Sequence, residues 1–108
     1  MRILIDECID EAFRNSFPDH DCETAHYAGF AGLRNGELLA AAERAGFELL
    51  VTVDHGIRFQ QNLTGRKLAV LILRPPSNRL NDLLPLVPAC LDSLKTIRAG
   101  EIALVGGE

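Results

Sequence analysis

The sequence predicts an α/β fold of three layers, with a mainly parallel central sheet covered by helices on both sides. Three observations carry that expectation. Short apolar runs alternate with stretches of helical periodicity, the order that βαβ crossovers produce. The runs at Arg2–Ile5, Phe47–Val53 and Leu68–Leu73 are continuous rather than alternating, as strands buried on both faces are. Finally, 108 residues with 47% hydrophobic content suit one core, so the expected organisation is a single domain over 1–108.

The elements follow in order. Arg2–Ile5 is a β-type run that ends abruptly in Asp6-Glu7. Residues 8–17 place Ile9, Ala12, Phe13 and Phe17 on one side at helical spacing, and Pro18-Asp19 stops them. Cys22–Ala25 suits a second strand, and the glycine-rich 28–32 a loop. Asn35 is the expected cap of a helix through Leu38, Leu39, Ala42 and Ala45, with Gly46 as its stop. Phe47–Val53 is the strongest strand candidate and ends in Asp54. A polar helix or turn over 57–63 leads to the strand Leu68–Leu73, which Arg74-Pro75-Pro76 breaks. Leu80–Ile97 reads as helical, with its regular part beginning near Pro85 and with Pro88 either in the first turns or at a kink. Ile102–Val105 is the last strand.

Composition excludes several classes. So apolar a chain is not intrinsically disordered. No apolar run approaches the roughly 20 residues that span a bilayer. No basic-then-apolar signal segment precedes Ile3, which predicts a cytoplasmic protein without membrane partners. Cys8, Cys22 and Cys90 form no C-x-x-C pair, so the expectation is reduced, mostly buried thiols rather than a disulfide or zinc framework.

Charge is unevenly laid out. Residues 1–54 hold eleven acids and four bases, whereas 55–81 hold Arg58, Arg66, Lys67, Arg74 and Arg79 with no acid. Such an arrangement can hold cations beside a polyanion, or it can be a solvated surface.

Two strands end in acids: Ile3-Leu4-Ile5-Asp6-Glu7 and Leu50-Val51-Thr52-Val53-Asp54. Ligands of open parallel sheets sit at the carboxyl ends of strands. Neighbouring strands lie roughly 5 Å apart, so Asp6 and Asp54 meet at one rim if their strands are neighbours. Glu37, in the first turn of the next helix, can reach the same rim. Crowded carboxylates raise one another's pKa unless a cation neutralises them, and an oxygen-only donor set selects Mg²⁺ or Mn²⁺. Taken singly, each acid also suits a helix or turn cap, and Glu7 suits either an extra ligand or a solvated position.

The stretches Ile3-Leu4-Ile5-Asp6-Glu7-Cys8, Gly32-Leu33-Arg34-Asn35-Gly36-Glu37-Leu38-Leu39 and Leu50-Val51-Thr52-Val53-Asp54 resemble those of the DUF5615 PIN-like family, compact relatives of PIN-domain ribonucleases and VapC-type toxins. Phe59-Gln60-Gln61-Asn62-Leu63 and the segments Ser77-Asn78-Arg79-Leu80 and Leu84-Pro85-Leu86-Val87-Pro88 resemble one branch of it. The resemblance implies a PIN-like domain with Mg²⁺- or Mn²⁺-dependent endoribonuclease activity that leaves a 5′-phosphate. It further implies the toxin half of a type II toxin–antitoxin pair, with an antitoxin encoded nearby; the sequence leaves a monomer or a homodimer open. Asp6, Glu37 and Asp54 carry over as catalytic metal ligands. The chain departs from the pattern after Asp54, where His55-Gly56-Ile57-Arg58 stands and no acid recurs before Asp82. The departure leaves three expectations open: one metal rather than two, Glu7 as the extra carboxylate, or a weak site.

Around that constellation, Arg58 and Arg79 are the expected phosphate grips, because the arginine fork matches phosphate geometry. Gln60, Gln61, Asn62 and Asn78 can bond sugar or base edges, or satisfy their own loops. His55 beside Asp54 can shuttle a proton or serve as a turn residue. Tyr27 and Phe30 can stack on a base or pack inside. Two other classes compete: a non-catalytic PIN-like binding module, and a receiver-like phosphoacceptor, which also carries an acid pair and a strand-end Asp. The second needs a Lys after its last strand, and 102–108 offers none.

Overall fold

A computed structural model describes residues 1–57 and 62–107. Five strands are β1 (Arg2–Ile5), β2 (Asp21–Thr24), β3 (Leu49–Thr52), β4 (Ala69–Leu73) and β5 (Ile102–Val105). Every pairing is parallel, and the order is β2-β1-β3-β4-β5. The α/β expectation with a parallel sheet therefore holds. Among the described residues the helices are α1 (Asn35–Arg44), α2 (Leu80–Leu83) and α3 (Val87–Leu94), with 3₁₀ turns at Glu11–Ser16 and Leu84–Leu86. No described helix is long and apolar enough to cross a membrane.

Side chains alternate across a strand, and here both sets are buried. Ile3, Ile5, Leu49, Val51, Leu71 and Leu73 pack with Phe13, Phe17, Leu83, Cys90 and Leu94. Leu4, Leu50, Val70 and Ile72 pack with Leu38, Leu39, Ala42, Phe47 and Ile57. All of β3 and β4 is buried, which explains why both read as unbroken apolar runs.

Several boundaries differ from expectation. Instead of a helix over 8–17, the chain makes a turn and then the 3₁₀ segment Glu11–Ser16, capped by Asp10, whose side chain accepts from Ala12 N. Asp6 caps no helix there. Asn35 is not the cap of α1: Arg34 holds that position in an extended conformation without a side-chain bond. Asn35 instead adopts φ 49°, a left-handed conformation that asparagine tolerates better than most residues. The expected helix 80–97 is divided, and its regular part begins at Val87, with Pro88 in the first turn where a missing N–H costs no bond.

The basic stretch does not stay together in space. Arg66 and Lys67 precede β4 and bond Glu43 near the end of α1, at 3.3 Å from Arg66 Nη1 and 2.5 Å from Lys67 N. Arg74 follows β4 and its Nε donates to the Gly106 carbonyl at 2.8 Å. The amino and carboxyl edges of the sheet thus divide these cations.

All three cysteines are free; Cys90 is buried and Cys22 half-buried, but Cys8 is exposed, against expectation. It sits on the turn directly after β1, outside the strand core. Burial and the neighbouring Asp21 charge push the Cys22 thiol up to about 11, and burial pushes Cys90 up to about 12, from an ordinary 9.0. Above pH 9 the unfolded chain therefore holds fewer protons than the folded one, and stability falls as pH rises through that window. In urea melts between pH 8 and 11, a Cys22→Ala, Cys90→Ala variant is expected to lose less stability than wild type. Equal losses would refute this assignment.

Candidate functional site

In the order β2-β1-β3-β4-β5 the direction of winding reverses between β1 and β3, and the crevice at their carboxyl ends is where such sheets bind ligands. The register sets Ile5 beside Val51, and Asp6 N continues the ladder by donating to Val51 O at 2.9 Å. Asp6 thus leaves β1 at the rim where β3 ends and Asp54 follows. A cleft of about 570 Å³ opens there, lined by Asp6, Glu7, Cys8 and Asp54, with Arg34, Asn35 and Leu38 from the start of α1.

Thr52 ties the two aspartates. Its hydroxyl donates to Asp6 Oδ2 at 2.7 Å and accepts from Asp54 N at 3.0 Å. Thr52 is fully buried, so both bonds lie away from water at their inner end. Asp6 Oδ1 accepts from Glu7 N at 2.8 Å, and Glu7 Oε1 accepts from Gly32 N at 3.1 Å, which fastens the glycine loop to the rim. Asp54 Oδ1 accepts from Gly56 N at 3.0 Å. Desolvation raises the Cys8 thiol, and the Asp6 charge adds to this, so Cys8 is a poor nucleophile although the residue is exposed.

The expected residues are only partly assembled. Asp6, Glu7 and Asp54 share the cleft; Glu37 is exposed and does not line it. Among the described residues, no three His, Cys, Asp or Glu side chains converge closely enough to hold a metal ion. The three carboxylates nonetheless offer oxygen alone, and Asp54 Oδ2 and Glu7 Oε2 accept no hydrogen bond among the described residues. This chemistry suits a hard cation, with water filling the rest of its shell.

His55 Nε2 donates to the Leu73 carbonyl at 3.2 Å, which ties the ring to the end of β4. Asn62 Oδ1 accepts from Thr64 N at 2.9 Å, so this side chain satisfies its own loop. Asn78 and Arg79 are exposed on the segment after β4, beyond the cleft lining. Arg58, Gln60 and Gln61 lie outside the described residues.

Two further residues contribute to the cleft. Thr52 was signalled by a hydroxyl inside a buried run, where it must find a partner. Arg34, the cation in the cleft wall, carried no signal beyond its place before Asn35-Gly36. No protein-family model, curated protein or solved structure matches the chain.

Proposed function

We propose that the protein is a PIN-like, divalent-metal-dependent endoribonuclease, the toxin of a toxin–antitoxin pair, acting in the cytoplasm and silenced by an antitoxin encoded nearby. The observation that carries this reading is the meeting of Asp6, Glu7 and Asp54 in one cleft at the switch point between β1 and β3. Mg²⁺ or Mn²⁺ would be held by Asp6 and Asp54 with water completing its shell, and Glu7 would join as a third carboxylate only by moving closer to them. Glu37 joins only if the first turn of α1 shifts. When bound, the ion supplies Lewis acidity, which acidifies a water and draws charge from phosphoryl oxygens.

The chain's own residues do the remaining work. Thr52 fixes the spacing of the two aspartates through its paired bonds. Arg34 is the lining cation suited to grip phosphate through its fork. The mixture of acids and one arginine favours a phosphodiester with a counterion over an anion alone, since bare carboxylates repel phosphate.

Incubation of the purified protein with single-stranded and structured RNA and Mg²⁺ or Mn²⁺ tests the proposal. Cleavage is expected, lost in EDTA and restored by added metal. Cleavage that persists in EDTA, or in an Asp6→Asn, Glu37→Gln, Asp54→Asn variant, would mark a contaminant. RNA binding without cleavage under any metal would convert the reading to a non-catalytic module.

A further inference from the structure

The carboxyl rim of the sheet continues past the acid cleft. A small depression of about 220 Å³ joins Asp6 and Glu7 to Glu11, Thr24 and His26. Glu11, Thr24 and His26 also line a larger cleft of about 480 Å³, with Arg14, Glu23 and Tyr27. The three hollows therefore share walls in sequence, and they follow the strand order β3, β1, β2. The geometry points to a nucleobase subsite at Tyr27, beside β2, that receives an amino-bearing base of a single-stranded RNA running along this rim. The inference rests on the RNA-cleaving reading above and extends it to a place where the substrate is read.

Tyr27 is 82% exposed, whereas Phe13, Phe17 and Phe47 are buried and Phe30 is half-buried. An exposed ring forgoes the burial that aromatic residues otherwise contribute. The backbone beneath it is firmly held. Tyr27 N donates to Thr24 Oγ1 at 3.2 Å, Ala28 N to Thr24 O at 3.0 Å and Phe30 N to Ala25 O at 2.8 Å. A fixed turn that presents an open ring is a stacking platform, and stacking tolerates any base.

Selection comes from the walls. Glu11 and Glu23 are in no ion pair among the described residues, so their oxygens are open to accept from a base. Carboxylates accept from exocyclic amino groups, as they do from N4 of cytosine, and they disfavour phosphate. Arg14 in the same cleft offsets part of that negative charge. The hollow therefore suits cytosine, adenine or guanine over uracil, with the phosphates passing outside it.

The chain has one Tyr and no Trp, so its tyrosine emission reports on this site alone. Metal-free protein in EDTA is titrated with cytidine monophosphate, oligocytidylate and oligouridylate, with correction for nucleotide absorption. Saturable quenching by the cytidine ligands is expected, with affinity for oligouridylate about tenfold weaker. Quenching by the monophosphate alone would assign the hollow to free nucleotides and overturn the RNA track. In anisotropy titrations of labelled oligocytidylate, Tyr27→Ala should weaken binding about tenfold, while Tyr27→Phe keeps the ring and binds like wild type. Absent quenching, equal affinity for the two oligomers, or wild-type binding by Tyr27→Ala would each overturn the subsite. Cleavage without quenching removes the subsite and leaves the nuclease reading; quenching without cleavage does the reverse.

Discussion

Asp54→Asn is expected to lower RNA cleavage by at least about a hundredfold while the protein stays folded, because losing one charged metal ligand removes several kcal/mol of transition-state stabilisation. The substitution is clean at this position. Asp54 is exposed, and the bond its Oδ1 accepts from Gly56 N can be accepted equally by an asparagine oxygen. Asp6→Asn should abolish activity too, but with more disturbance. Both Asp6 oxygens accept bonds, from Glu7 N and from the Thr52 hydroxyl, and an asparagine has one oxygen to offer. Thr52→Val separates position from charge: it keeps every carboxylate and deletes the hydroxyl that spans them. Its cleavage should fall about 10- to 100-fold, with the metal concentration at half-activity moved upward, as partners that orient metal ligands behave when removed. It also leaves Asp54 N–H without its partner and should cost about 1–3 kcal/mol of stability. If Asp54→Asn cleaves RNA like wild type, the carboxylate reading is wrong however well the rim is formed.

Much of the frame was legible in the sequence, because burial on two faces writes itself as unbroken apolar runs. Leu49–Thr52 and Ala69–Leu73 are fully buried, and the apolar runs predict both strands to within two residues of their ends. The placement of Asp6 and Asp54 followed from strand ends, once β1 and β3 are neighbours; that adjacency is a tertiary fact which no local pattern encodes. Glu37 shows the limit of spacing arguments. Its position in the first turn was right, but which wall it faces depends on the rotation of α1 about its axis. Residue type makes Asn35 a cap, but the chain uses its tolerance of positive φ instead. The cations of 55–81 are contiguous in sequence, yet β4 runs between them, so Arg66 and Lys67 lie at one edge of the sheet and Arg74 at the other. Residues 8–17 have the apolar spacing of a helix, but the chain forms only the Asp10-capped 3₁₀ segment Glu11–Ser16.

That short turn supplies the second large effect. Phe13→Ala is expected to destabilise the fold by about 3–5 kcal/mol, the cost of emptying a buried aromatic site that cannot collapse. Phe13 is fully buried and meets Phe17 edge to face, with centroids 5.5 Å apart and an interplanar angle of 82°. The two rings cover the face of the sheet formed by Ile3, Ile5, Leu49 and Val51. A six-residue 3₁₀ segment has little stability of its own, since its hydrogen-bond geometry is poor. The rings therefore hold the segment in place rather than the reverse, and losing one should loosen both. Domains of this size have about 5–15 kcal/mol in total, so the variant would sit close to unfolding at ordinary temperature. Its Tm should drop by more than about 10 °C. Tyr27→Ala, which removes an aromatic ring 82% exposed, should change stability by about 0.5 kcal/mol or less. Thermal melts of the two variants side by side decide the matter. A Phe13→Ala protein as stable as Tyr27→Ala would mean that this face of the sheet is covered by something other than the turn at Glu11–Ser16.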